Sequence, residues 1–195
     1  MTAPSPRLRE ISPEEFRARA PELISIYVRA MNYPPGTAEA RIALWAEHSH
    51  RADFRCVIAA DPEGAALTVA YGYRGGPGQW WNSEVARGLG ELGQGWLADY
   101  FELTELHVRP DAQGHGLGEG SLRLLLSQAV GRYVLLSTPE GENRAWRLYR
   151  RVGFVDVLRN YHFTGDPRPF AVLGRTLPLD PPPTPSGSDG SVSPG

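Results

Sequence analysis

The chain of 195 residues has no lysine: all 20 of its basic side chains are arginine. A Schiff-base nucleophile and a Walker phosphate loop both need lysine, so neither chemistry is open to it. Cysteine is almost absent too. Cys56 stands alone inside the apolar run FRCVIAA, which excludes an intramolecular disulfide and reads as a buried core thiol in a reducing cytosol. No apolar run approaches the roughly 18 residues of a spanning helix, and MTAPSPRLREIS lacks a signal-peptide core, so a cytoplasmic protein with no membrane contact is expected. Excess positive charge is missing as well. A net charge of -2 is far from the basic footprint of a nucleic-acid-binding surface.

What is present alternates between helix-like and strand-like patterns over residues 1–179, expected to form one domain. The segment 180–195, DPPPTPSGSDGSVSPG, lacks the apolar content to pack and is expected to be a disordered tail. RLREIS alternates like a strand, and Ser12, Pro13 and Glu15 form a capping box. Pro21 kinks or restarts that helix, which runs to Met31 before NYPPG stops it. Thr37 is the expected cap of a second helix, and FRCVIAA and ALTVAYGYR form a hairpin across DPEG. The glycine-rich segment 75–98 holds three of the five tryptophans and a short helix at SEVARGLGEL. YFELTELHV then reads as a strand and EGSLRLLLSQAV as a helix ended by Gly131. YVLLST follows as a buried strand, ENRAWRLYRRV as a helix ended by Gly153, and FVDVLRNYHF and FAVLGRTLPL as the last strands.

Between the strand at 100–108 and the next helix, VRPDAQGHGLGEG places glycine at 114, 116, 118 and 120. Glycines let main-chain N–H groups approach a ligand, and a helix opening there adds the positive end of its dipole, so an anion such as phosphate is the natural guest. A dinucleotide-binding unit would set the glycines directly after the strand and an acidic residue at the end of the next. Here RPDAQ intervenes and the next strand ends in Ser137 and Thr138. A structural loop with no ligand is the remaining alternative.

Gln113, Gly116 and Gly118 resemble the Q/R-x-x-G-x-G/A motif of the GNAT superfamily of N-acyltransferases, with glutamine where arginine is commoner. ELHV before the loop, the leucine-rich helix after it and NRAWRLYRRVGF farther on are similar to the family's elements in the same order. The resemblance is close over about residues 100–155. It implies an α/β fold with a mixed, mostly antiparallel central sheet flanked by helices on both faces, in which a splayed strand pair forms the cofactor cleft. It also implies acetyl-CoA as acyl donor, with its diphosphate held by the main chain of Gln113, Gly114, His115, Gly116, Leu117 and Gly118. The pantetheine arm would run along Leu106, His107 and Val108, and Asn143 would add a hydrogen bond, unless it serves only as a helix cap.

The residues offer a physical basis for the splay. Apolar positions at Phe101 and Leu103 change phase to Leu106 and Val108, as a β-bulge around Thr104 and Glu105 would produce, gathering Glu102, Glu105 and His107 on one side. A loosely patterned strand buried on both faces is the alternative. Acyl transfer needs a neutral amine, and at pH 7 a lysine-like amine is neutral only about once in a few thousand molecules, against roughly one in six for an α-amine. A base therefore matters: Glu102 is the first candidate and Glu105 the second, each of which could instead be an ordinary strand carboxylate. By the resemblance, Tyr149 would protonate the departing thiolate, although it shares an apolar face with Leu148 and Val152. The oxyanion would meet the Leu106 N–H. His48 and His50, two residues apart, are poorly placed for joint metal ligation, and no metal is expected.

Tyr27, Tyr33, Trp45, Trp80, Trp81 and Trp96 fall in segments that surround the acceptor in the resembling family. They could recognise an amine, cover the sheet, or form a homodimer interface. The sequence thus supports an acetyl-CoA-dependent N-acetyltransferase acting on a small-molecule or peptide amine. A non-catalytic acyl-CoA-binding or sensing module and a nicotinamide-dependent oxidoreductase are the rival classes.

Overall fold

The computed structural model describes residues 5–34 and 36–181. Seven strands form one sheet: β1 (Arg7–Ile11), β2 (Arg55–Ala60), β3 (Thr68–Gly75), β4 (Tyr100–Val108), β5 (Tyr133–Pro139), β6 (Val155–Tyr161) and β7 (Phe170–Thr176), in the order β1-β2-β3-β4-β5-β7-β6. Only β4 and β5 run parallel; every other neighbour pair is antiparallel. Among the described residues six α-helices cover it: α1 (Pro13–Ala18), α2 (Ala20–Ala30), α3 (Thr37–His48), α4 (Trp80–Leu89), α5 (Leu117–Leu126) and α6 (Arg144–Arg151). Among the described residues no helix is long and apolar enough to cross a membrane.

Strand alternation sorts the side chains into two layers. Phe101, Leu103, Val134 and Leu136 pack against Leu122 and Leu125 of α5 and Trp146 and Tyr149 of α6. On the opposite face Tyr71 and Tyr73 meet Phe16, Leu23 and Trp45 of α1, α2 and α3, while Tyr100, Leu135 and Val172 meet Trp81 and Val85 of α4. Cys56 lies fully buried on β2, and desolvation pushes its thiol well above the usual range.

Local signals set several of the helix ends. Ser12 accepts from the Glu15 N–H, and Pro21 sits in the first turn of α2, where its missing N–H costs nothing. The second cap differs from expectation: Gly36 occupies it, without a side-chain bond, and Thr37 is the first helical residue. The tryptophan-rich segment also begins its helix earlier, at Trp80 rather than Ser83, and continues as a 3-10 turn over Glu91–Leu97. α5 stops at Leu126, short of the Gly131 expected to end it. Gly131 instead adopts φ +116° against the main chain of Tyr100, where a Cβ would come within 3.2 Å, so this glycine brings β5 in beside β4. Gly153, at φ +88°, does end α6 as expected. The expected tail lies outside the described residues from 182 onward, but Asp180, its first residue, is held by Arg175 and accepts through its carbonyl from Arg123 at 3.0 Å.

The β4 bulge is present. Tyr71 pairs with Glu105 and Gly72 with Leu103, leaving Thr104 as an extra residue. Gly72 is where the sheet accommodates it, because a Cβ there would lie 2.2 Å from the Glu102 carbonyl oxygen.

Candidate active site

β4 and β5 pair only at Tyr100↔Tyr133, Phe101↔Val134 and Glu102↔Leu135. Beyond Glu102, β4 stays with β3 as far as Val108 and β5 stays with β7 as far as Pro139, so a gap opens between them. The Arg109 N–H donates to the Leu67 carbonyl at 2.8 Å, which sets the phase of the β3–β4 ladder. Antiparallel alternation then directs the main-chain groups of Glu105 and His107 toward β3, and those of Leu106 and Val108 toward the gap.

At the wide end of the gap lies the glycine loop. Gly114 and Gly116 have φ +87° and +76°, and a Cβ on either would meet nothing within 4 Å. Only glycine adopts this backbone without strain, and the space beside it is open. Among the described residues the N–H groups of Gly114 to Glu119 have no acceptor within the chain, and Gly116 caps α5, whose positive end faces the same space. One expected main-chain contact is placed differently. The Gln113 N–H turns back on the Pro110 carbonyl at 3.4 Å while its side chain donates to the Val108 carbonyl at 3.1 Å, so this residue ties the loop to β4. His115 is exposed and turns its ring toward the Ala112 carbonyl, off the wall of the gap, while its N–H stays open with those of its neighbours.

The gap widens into a cleft of about 1160 Å³ reaching from the glycine loop to Tyr33 and Arg168. A single small-molecule site typically measures about 300–1,000 Å³, so this space suits a large cofactor with an acceptor beside it. Glu102, Glu105, Leu106, His107, Val108, Tyr149 and Asn143 all line it.

Glu102 is 4% exposed, with Oε1 receiving the Tyr73 hydroxyl at 3.3 Å and Oε2 without a partner among the described residues. Burial raises its pKa to about 8, against the opposing influence of Arg51 and the Tyr73 hydrogen bond. Glu105 differs in that one of its oxygens is held by His107 Nε2 at 2.6 Å. Tyr149 is buried, and its hydroxyl has no protein partner among the described residues. Burial, followed by the charge of Glu105, keeps the phenol protonated far above neutral pH. Asn143 caps α6 by accepting from the Trp146 N–H at 3.1 Å.

The aromatic segments divide. Tyr27, Tyr33, Trp80 and Trp81 line the cleft, whereas Trp45 is wholly buried beside Tyr71 and Trp96 packs tilted against Tyr133, ring centroids 4.7 Å apart. Tyr73 and Arg51 escape the sequence reading as site residues, and His48 enters it only as a metal ligand that is rejected. Arg51 lies over the Tyr73 ring at 4.6 Å, and His48 Nδ1 meets the Tyr71 hydroxyl at 3.0 Å. Burial, reinforced by Arg51, lowers the His48 pKa to about 4, so the ring is neutral. The alternating tyrosines of AYGYR signal a half-polar strand face, but only the β3–β4 register places Tyr73 opposite Glu102. Among the described residues no group of three or more His, Cys, Asp or Glu could hold a metal.

The comparisons with known proteins agree with this arrangement. A family model described as the acetyltransferase (GNAT) family matches residues 20–154. A GCN5-like protein acetyltransferase of Mycobacterium tuberculosis, Rv2170, is 47% identical over 202 residues, covering 88% of this chain and 98% of its own. Of the solved structures, ACIAD1637 from Acinetobacter baylyi ADP1, described as an acetyltransferase, matches with a TM-score of 0.64 at 17% identity, over 94% of this chain and 99% of its own. YncA from Salmonella typhimurium, solved with its cofactor acetyl-CoA, matches with a TM-score of 0.60 at 14% identity, over 93% and 99%. At such identities the structural likenesses speak for the fold. The family model and the curated relative carry the resemblance of residues 100–155 to most of the length of the sequence, and the chain belongs to the GNAT family of acetyltransferases.

Proposed function

We propose that the protein transfers an acetyl group from acetyl-CoA directly to a primary amine, with both substrates in the cleft at once. The observation that carries this reading is the parting of β4 from β5 immediately after Glu102, which leaves a main-chain-lined slot with a carboxyl group at its base. The residues fit the donor. The open amides of Gly114 to Gly118 would take its diphosphate, and the main chain of Leu106 and Val108 its pantetheine arm. When bound, acetyl-CoA supplies an activated acyl thioester.

Glu102 accepts the proton that the amine gives up on attack, through Oε2, the oxygen with no other partner. A pKa of about 8 makes it a stronger base than an exposed carboxylate while leaving about a tenth ionised at neutral pH. The Leu106 N–H, turned toward the gap, stabilises the developing oxyanion. Tyr149, held as a phenol, donates its proton to the departing sulfur. Direct transfer is supported by Cys56, which is buried on β2 as a thiol and so offers no nucleophile. Tyr27 and Trp80 face the acceptor end. The name of the 47%-identical relative makes a protein amine the first acceptor to test.

A panel of peptide and small-molecule amines with acetyl-CoA, assayed for free thiol and acetylated product, tests this. Glu102→Gln should lower kcat/KM about 100-fold or more and Tyr149→Phe at least about tenfold, with acetyl-CoA binding retained in both. Acetyl-CoA binding with no turnover on any acceptor, or full activity in Glu102→Gln, would overturn the reading.

A further inference from the structure

α6 carries four arginines, and its neighbours use only two of them. Arg150 is engaged with Asp156, with the Phe154 carbonyl at 3.2 Å and with the Trp146 ring at 5.0 Å. Arg151 pairs with Glu119 at 2.9 Å, and Arg123 holds the other oxygen of the same carboxylate at 3.0 Å, so that acidic charge is already shared by two guanidinium groups. Arg144 and Arg147 have no ion pair and no hydrogen bond among the described residues. With Arg151 they stand at i, i+3 and i+7, a single helix face, and all three line the cleft.

This face adjoins the glycine loop. Leu148 would lie 3.7 Å from a Cβ on Gly118, and the Arg151–Glu119 pair joins α6 to the first turn of α5. The open amides can hold a diphosphate by hydrogen bonds alone, which leaves the two unpaired guanidinium groups on the wall of the same cleft without a counter-charge. A second anion fits them. Coenzyme A carries one: besides its diphosphate it has a phosphomonoester on the 3′-oxygen of its ribose. Arginine suits that group by offering paired N–H donors to phosphate oxygens.

We propose that Arg144 and Arg147 form a phosphomonoester subsite that reads the 3′-phosphate of coenzyme A and separates the donor from its 3′-dephospho form. This rests on the acyl-donor reading above.

Titration calorimetry of the full chain with coenzyme A and with 3′-dephospho-coenzyme A tests it without reference to turnover. The wild type should bind coenzyme A at least about tenfold more tightly, as for charge-assisted hydrogen bonds to a phosphate. In the double variant Arg144→Gln/Arg147→Gln that ratio should fall to about one, through loss of coenzyme A affinity while dephospho-coenzyme A affinity changes less than about twofold. Both positions are exposed, so the variant should fold, and an unchanged melting temperature checks this. Equal binding of the two ligands by the wild type, or a ratio unchanged in the variant, would overturn the subsite and leave the acyl-donor reading standing. Binding of neither ligand would overturn both.

Discussion

At Glu102 the cleft holds a carboxyl group with one oxygen on Tyr73 and the other without a partner among the described residues. Its pKa of about 8 has two measurable consequences, in rate and in stability. If this carboxylate is the base, kcat/KM should rise with pH through a limb near 8 as the proton leaves the free enzyme, and Glu102→Gln should lack that limb. The stability sign follows from proton binding. Unfolded, the group releases its proton near its ordinary value of 4.5, whereas the native protein keeps it up to about 8. Folding therefore grows less favourable as pH rises through that window, by up to a few kcal/mol, and the cost is absent below it. The melting temperature of Glu102→Gln relative to the wild type should climb by several degrees between about pH 5 and pH 8.5. A difference that stays flat with pH would contradict the raised pKa. Sequence alone brought Tyr149 and Asn143 to notice through a family motif and Glu102 through its place on the strand before the glycine loop. It gave no sign of Tyr73 or Arg51, whose relation to Glu102 depends on register and on how α3 lies over the sheet.

Among elements, β4 was the most legible, because the bulge shifts the apolar phase and the shift can be read from Phe101, Leu103, Leu106 and Val108. The parting from β5 was legible only through the family resemblance, since nothing in YVLLST marks where a parallel neighbour stops pairing. Helix ends followed local chemistry at Ser12 and Gly153 and escaped it at Leu126, where the chain leaves α5 before its apolar residues run out and Ala129 packs beside the core without being helical. The glycine loop yields a prediction of its own. Gly116→Val places a β-branched residue at φ +76° and a side chain in the space beside the open amides. It should cost about 1–2 kcal/mol of stability and weaken acetyl-CoA binding at least about tenfold. Thermal melts and calorimetry check both, and undiminished affinity would mean that the loop does not hold the donor.

For the whole molecule, one architectural decision governs the rest: a sheet of seven strands is continuous except where its single parallel pair separates. Residues of α2, α3 and α4 line one end of the cleft, and the glycine loop before α5 with the arginine face of α6 lines the other, so the cleft lies where the two layers share an open seam. A crystal structure of the protein with coenzyme A tests this most directly. The pantetheine arm should lie between β4 and β5, hydrogen-bonded to the main chain of Leu106 and Val108, with the diphosphate on the amides of Gly114 to Gly118 and the sulfur facing Tyr149. A ligand bound elsewhere, with β4 and β5 paired along their full length, would contradict it.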